Sequence, residues 1–366
     1  MHRRKRRLTL RTQAGEVVVE TDYGQDAQTG RWLCPQQAVW GLSPHQKLTP
    51  LLADKLAFTL TATGSYAEAA ALSAKWGCAV DDSTLHTLAQ RVGAKAEAQV
   101  QARLQTPPLE TEPQRQAAAL AVLSLDGWLA RFRGPGWGRE KTQKSRVEWH
   151  EIKTGVFWCG EQLARADNGR GQLADKALVH WLGMPDEVGR RLNWEAMRRG
   201  LSRAQDTLVL SDGAAWIWNV KQDRWQGAHE LLDFYHASQH LWQLGEALRG
   251  PGQSAEWVEP RLHQLRHGQE SQVLREIARL KAGRGQRGKI LRQEQGYFER
   301  QQGRMSYQAA ARRGWPIGSG AVESACRQKQ GRFKRCGQFW TERGFRHLAA
   351  LDEARRNGHW TELWSP

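Results

Sequence analysis

Apolar positions along the chain change period several times, and each change marks a different kind of element. Near the N-terminus Leu8, Leu10 and Thr12 alternate with polar residues, Ala14-Gly15 supplies a turn, and Val17 and Val19 alternate again. A period of two means strands, so residues 1 to about 45 read as a β-hairpin. From Pro50 the period lengthens to three and four. Pro50–Leu60 predicts one helix and Tyr66–Trp76 a second, with Ala69, Leu72 and Trp76 on one face and Gly77 as its breaker. Asp82 or Ser83 caps a third helix that carries Leu85, Leu88 and Val92. Two helices joined by a short Gly-containing turn form a helix-turn-helix-like pattern.

A proline-rich segment, Thr106–Pro113, separates these helices from the next strands and reads as a linker. Ala119–Trp128, Glu148–Trp158, Thr207–Ser211 and His229–Tyr235 then read as strands, the last leading into a helix over His236–Leu248. Residues 250–313 are charged, Gln-rich and helical in pattern, with a Gly-rich loop at Lys281–Lys289, and Ala321–Asn357 is helical again. Strands first and helices later predict an α/β fold of the mixed α+β kind. The expected organisation is an arm over 1–45, a helical DNA-binding domain over 46–105 and a linker over 106–118. Next come a catalytic core over 119–248, a helical insertion over 249–313 and C-terminal helices over 314–366.

Charge narrows the function. Among 366 residues, 54 Lys and Arg oppose 38 Asp and Glu, a net charge of +16. Such a surplus predicts a polyanionic partner, most simply nucleic acid through counterion release; a ribosome-bound or membrane-surface protein is the plainer alternative. Arg3, Arg4, Lys5 and Arg6 belong to a basic run that reads either as a solvated tail or as an arm on DNA phosphates. On the third helix, Thr84, His86, Thr87, Gln90 and Arg91 are of types that reach base edges or phosphates. No apolar run of transmembrane length is present and the basic start lacks a secretory pattern. The five cysteines are scattered without a Cys-x-x-Cys pair, which fits free thiols in a reducing, cytoplasmic setting.

Three acids carry the chemistry. Asp126 closes the apolar run Ala121–Leu125, Asp212 closes Leu208–Ser211, and each is followed at once by Gly. Glu323 lies just after a Gly-Ser-Gly turn at the start of a helix. An acid at the end of a buried strand is a poor packing choice and a good ligand for a hard divalent cation such as Mg²⁺, for which Mn²⁺ substitutes. Acids on a central strand, a neighbouring strand and a following helix satisfy two-metal phosphoryl transfer. Asp233 also closes an apolar strand and competes for a place in the set. Arg327 stands one turn after Glu323 and is expected to face phosphate, with Lys329, Arg332, Lys334 and Arg335 extending a basic helix along DNA; the plainer alternative is an intrahelical Glu323–Arg327 pair with a solvated face. His236 and His240, spaced i, i+4 after Asp233, read as a hydrogen-bonded strand-to-helix corner or as part of a zinc site.

Taken in order, the segments ending in Asp126-Gly127, Asp212–Trp218, Leu232–Trp242, Ile317–Glu323 and Gly331–Trp340 resemble the bacterial insertion-sequence transposases of the ISKra type, relatives of the Mutator-like DDE transposases. The resemblance runs from about Tyr23 to Trp364. It implies a ribonuclease-H-like catalytic core with a helical insertion between the second and third acids. It also implies an Asp-Asp-Glu triad on Asp126, Asp212 and Glu323, and an Asp-x-x-His element on Asp233 and His236. Two departures stand out. Only Cys34 occupies the region where related chains carry a Cys-x-x-Cys element, and the chain opens abruptly in a basic strand, as if an upstream segment were lacking. The expected activity is metal-dependent cleavage and strand transfer at insertion-sequence ends by a homodimer or larger assembly, with terminal inverted repeats and target DNA as partners. The alternatives are a two-metal nuclease of the same fold without strand transfer, and an inactive DNA-binding derivative.

Overall fold

The computed structural model describes residues 3–43, 46–109, 117–137, 147–165, 167, 171–250 and 252–365, without the side chains of Arg3 and Arg165. The proline-rich linker therefore lies partly outside the described residues. The chain divides into two compact units, one of Met1–Arg103, Arg131–Glu148 and Gly331–Pro366, the other of Leu104–Ala130 and Trp149–Gln330.

The first unit opens with β1 (Arg3–Thr12) and β2 (Gly15–Gln25), paired antiparallel with Arg3 opposite Gly24 and Thr12 opposite Gly15. Gly15 has φ +107°, a conformation cheap only for glycine, which closes the hairpin. The short β3 (Trp32–Leu33) pairs with β2 and is followed by α1 (Pro35–Val39). Three helices come next: α2 (Pro50–Ala62), α3 (Tyr66–Lys75) and α4 (Asp82–Arg103). The cap of α4 is Asp81, one residue before the expected Asp82 or Ser83: its carboxylate accepts from the Thr84 amide at 2.7 Å. Leu85, Leu88 and Val92 are buried as their spacing requires. On α3 the buried stripe is Ala69 and Ser73, one turn apart, while Leu72 is turned outward.

The second unit is built on a five-stranded sheet. Its strands are β4 (Leu120–Arg133), β5 (Val147–Cys159), β8 (Ala177–Leu182), β9 (Asp206–Ser211) and β10 (His229–Leu232), with β6 (Leu163–Arg165) and β7 (Gly171–Leu173) as a separate two-stranded ribbon. The order is β10-β9-β4-β5-β8; β4, β9 and β10 are parallel, and β5 runs antiparallel to β8. Parallel neighbours need crossovers. The helix α5 (Pro185–Arg198) precedes β9, and α6 (Ala215–Arg224) joins β9 to β10. Leu123, Leu125, Phe157, Val179, Leu192, Val209 and Ile217 form the core. After β10 come α7 (Phe234–Arg249), α8 (Ala255–Arg266), α9 (Glu270–Ala278), α10 (Gly285–Arg300), α11 (Tyr307–Arg312) and α12 (Gly320–Phe333).

Strand β4 runs past its expected end at Trp128 to Arg133, so Asp126 lies inside the strand. Trp128, Ala130 and Phe132 are buried while Leu129 is exposed, a period-two pattern that Asp126-Gly127 interrupts without ending. Conversely β10 stops at Leu232, short of Tyr235, because Asp233 caps α7. The last helix, α13 (Glu342–Arg356), belongs to the first unit. Its Leu351 and Ala354 join Leu52, Leu56, Leu60, Leu85 and Leu88 in that unit's core.

Candidate active site

Strand register directs the aspartates toward one end of the sheet. Leu120 of β4 pairs with Asp206 of β9 and Leu123 with Val209; Asp126 and Asp212 follow three residues after that last pair, and the charge of Asp212 acts on Asp126. Ser211 of β9 pairs with Leu232 of β10, which sets Asp212 beside Asp233. Neighbouring strands are about 5 Å apart and residues in parallel register share a face. The carboxyl ends of parallel strands open a crevice where their chains diverge. Here the β4–β9 pairing ends at Leu123 with Val209, and the Ser211 hydroxyl accepts from the Leu125 amide at 3.0 Å.

Asp126 is half-buried. Its Oδ1 accepts from the Gly127 amide at 2.6 Å, and the Cys326 thiol of α12 hydrogen-bonds the same carboxylate. The thiol in turn contacts the Thr154 hydroxyl, which accepts from the Trp128 indole at 3.0 Å and is hydrogen-bonded to His180 Nδ1 at 2.9 Å. Burial, reinforced by the charge of Asp212 and then of Glu323, pushes the Asp126 pKa above the usual carboxylate range. The glycine after it leaves room for the Glu151 side chain of β5: a Cβ on Gly127 would sit 2.2 Å from the Glu151 carboxylate, which would have to move aside.

Asp212 closes an Asx turn, its Oδ1 accepting from the Ala214 amide at 3.0 Å. Gly213 takes φ +96°, and its carbonyl accepts from Gln301 Nε2 at 2.7 Å. Glu323 stands in the first turn of α12, where the helix dipole favours a carboxylate. Its Oε1 accepts from the Ser319 hydroxyl at 3.3 Å and its Oε2 lies 3.6 Å from Arg327 Nη2. Sequence reasoning weighs an ordinary intrahelical Glu323–Arg327 pair against an Arg327 that faces phosphate, and expects the second. Here Arg327 pairs with Glu323, because i, i+4 spacing puts both on one helical face.

Asp233 is fully buried and spends both oxygens on backbone donors. Oδ1 accepts from the His236 amide at 2.7 Å and Oδ2 from the Ser319 amide. It holds β10, α7 and the Gly-Ser-Gly turn together and is spoken for as a ligand. Gly318 in that turn faces the Tyr235 ring, 2.7 Å from where a Cβ would be. His236 Nε2 lies 3.3 Å from His240 Nε2, and His240 Nδ1 lies 2.6 Å from Glu294. This is the hydrogen-bonded corner; the zinc reading finds no further ligand among the described residues. Burial depresses the His236 pKa, helped by His240 and opposed by Asp212.

Asp126, Asp212, Glu323 and His236 line one cavity of about 1000 Å³ together with Trp158, Lys176 and Tyr235. The donor chemistry fits a hard divalent cation: carboxylate oxygens of which Asp126 has its pKa raised first by burial and then by the charges of Asp212 and Glu323, charges a cation would offset. Among the described residues no three His, Cys, Asp or Glu side chains converge as ready-made ligands. Glu323 is instead engaged by Ser319 and Arg327. Sequence reasoning missed Cys326, Lys176, Glu294 and Tyr297. Cys326 stands three residues after Glu323, a spacing that shares its helical face; the other three leave no local signal.

The expected DNA-binding residues are distributed unevenly. Arg4, Lys5 and Arg6 are exposed on β1. Arg4 lies 5.0 Å from the Trp32 ring and Arg6 4.9 Å from the Tyr23 ring, while Lys5 pairs with Asp22 at 3.2 Å. Arg3 has no described side chain. On α4, His86, Thr87 and Arg91 are exposed, whereas Thr84 bonds the cap Asp81 and Gln90 bonds His347 at 2.9 Å. Arg91, Thr84 and Thr87 line a second cavity of about 360 Å³ with Arg11, Lys47 and Ser83. The basic stretch of α12 corrects expectation. Lys329 and Arg332 are buried, and Arg332 donates to the Gly64 carbonyl at 3.2 Å beneath the Tyr66 ring. Lys334 and Arg335 are exposed, and Arg335 pairs with Glu68 at 2.6 Å. Among the described residues no helix is long and apolar enough to cross a membrane.

Comparison with known proteins finds no match among curated sequences. Among solved structures the chain is similar to the Drosophila P element transposase strand transfer complex, with 11% identity over 85% of this chain and 80% of that one, at a TM-score of 0.29, a likeness too loose to carry argument. A family model for UPF0236, described as an uncharacterised protein family, matches residues 1–363. With nearly its whole length matched, the chain belongs to the family UPF0236.

Proposed function

We propose that the protein is a DNA transposase of the DDE type, acting through a ribonuclease-H-like core on insertion-sequence ends. The observation that carries this reading is the common cavity of Asp126, Asp212 and Glu323, supplied by a central strand, its neighbour and a later helix, in a chain of net charge +16. That is the placement phosphoryl transfer asks of its acids.

Asp126, Asp212 and Glu323 would hold Mg²⁺ or Mn²⁺, and Glu323 would exchange Arg327 for the cation. When bound, the ions supply charge neutralisation and a template for in-line displacement. The chain's own side chains do the rest. Asp233 and Ser319 hold the Glu323 turn against β10, and the Cys326 thiol ties Asp126 to α12. Released from Glu323, Arg327 would meet a substrate phosphate. In the first unit, Arg4 and Arg6, steadied by aromatic rings, and the cavity of Arg11, Lys47 and Arg91 suit backbone phosphates. Two ends processed together imply at least a dimer in the working complex.

The test is cleavage and joining of a candidate end duplex by the wild type and by Asp126→Ala, Asp212→Ala and Glu323→Ala in Mg²⁺, Mn²⁺ or Ca²⁺. Cleavage and strand transfer with Mg²⁺ or Mn²⁺, absent with Ca²⁺ and in all three variants, is the expected result. Cutting without joining would make the protein a nuclease; full cleavage by Glu323→Ala would remove that residue from the triad.

A further inference from the structure

A chain of side chains runs from the cavity into the protein. His236 lines the cavity, and its Nε2 lies 3.3 Å from His240 Nε2. His240 Nδ1 lies 2.6 Å from Oε2 of Glu294, which is 1% exposed. The Tyr297 ring stacks on His240 at 3.6 Å between centroids, 14° from parallel, and its hydroxyl donates to the Asp212 carbonyl at 3.1 Å. Glu294 and Tyr297 stand three residues apart on α10, so one face of that helix supports both the imidazole pair and the Asp212 turn. A carboxylate so deeply buried needs a partner, and the partner here is an imidazole whose other nitrogen leads to a second imidazole at the cavity wall.

We propose that Glu294, His240 and His236 form a proton relay ending in the acid-lined cavity, with His236 as the base that takes the proton of the attacking hydroxyl and His240 and Glu294 as positioning residues behind it. The inference rests on the phosphoryl-transfer reading. In the resting arrangement His240 Nδ1–H donates to Glu294 and His236 Nε2–H donates to His240 Nε2, which leaves a lone pair on His236 Nδ1. A carboxylate behind the imidazole fixes the tautomer, as in other base–orienter pairs. As a water oxygen bonds to phosphorus and the bond to the 3′-oxygen breaks, one water proton passes to His236 Nδ1. The Nε2 proton of His236 passes to His240, and the positive charge rests there beside the Glu294 carboxylate. The departing 3′-oxygen takes a proton from solvent. In the joining step the 3′-hydroxyl takes the place of water.

Single-turnover cleavage of an end duplex by the full chain tests this. His236→Ala is expected to lose about 100-fold in rate and to regain part of it when imidazole is added, and Glu294→Gln to lose about 10-fold with unchanged duplex affinity. Glu294→Asp is expected to recover part of the Glu294→Gln loss. Wild-type rates in Glu294→Gln with no imidazole rescue of His236→Ala, while Asp126→Ala stays inactive, would overturn the relay and leave the transposase reading intact. A wild type that never cleaves would overturn both. Long-range ¹H–¹⁵N imidazole spectra guard against misfolding: His236 protonated at Nε2 and His240 at Nδ1, both perturbed by Glu294→Gln, is expected, and His236 signals indifferent to Glu294→Gln would overturn the relay.

Discussion

Two aspartates, each after an apolar strand segment, behave in opposite ways. Asp233 is completely buried, with each oxygen on a backbone amide. Asp126, on a strand two places away in the sheet, faces a cavity beside two other acids, and its pKa is raised. Locally both read as an acid closing a hydrophobic run. The difference comes from what distant sequence delivers. The Ser319 turn brings Asp233 a donor, whereas Asp212 and Glu323 bring Asp126 like charge. One acid holds the fold together and the other is held at a cost in stability, which is how functional sites are commonly built.

The contrast can be broken by exchanging charge for amide at each position. Asp126→Asn should lower end-duplex cleavage by at least about 100-fold and raise Tm, read by calorimetry. Asp233→Asn should do the reverse for stability, destabilising by about 3 kcal/mol in chemical denaturation, because an amide nitrogen then faces a backbone donor. A variant pair in which both lose stability equally would erase the distinction.

A pH series sharpens it. Asp126 has an ordinary value of 3.8 when unfolded and a higher one when folded. Between the two the native state binds more protons, so stability falls as pH rises through that window. The advantage of Asp126→Asn over the wild type should therefore be full at neutral pH and vanish below the ordinary carboxylate value. A smaller effect is expected in the first unit. Ser65 caps α3 by accepting from the Glu68 amide at 3.0 Å, so Ser65→Ala should cost about 1 kcal/mol by denaturation, without effect on Asp126.

Legibility depends on range. The acids at 126, 212 and 323 are visible because glycine and apolar runs surround them, and α2, α3 and α4 because their periodicity is local. The extension of β4 is written in Trp128, Ala130 and Phe132, but Asp126-Gly127 looks like an ending. Residues 160–205 hold β6, β7, β8 and α5, for which sequence reasoning supplies no element, although Val188, Leu192 and Ala196 mark the buried stripe of α5. The burial of Lys329 and Arg332 is not readable, since a basic run on a helix looks the same whether it faces solvent or a carbonyl such as that of Gly64. Glu294 and Tyr297 lie in a charged, Gln-rich stretch where nothing local points to a site.

The central claim is that Asp126, Asp212 and Glu323 act as one cation-holding site. Calorimetric titration of Mn²⁺ into the full chain and into Asp126→Asn, Asp212→Asn and Glu323→Gln tests it most directly. The account predicts saturable binding by the wild type that each of the three substitutions weakens severely. Equal binding by all four proteins, or none by the wild type, would contradict it.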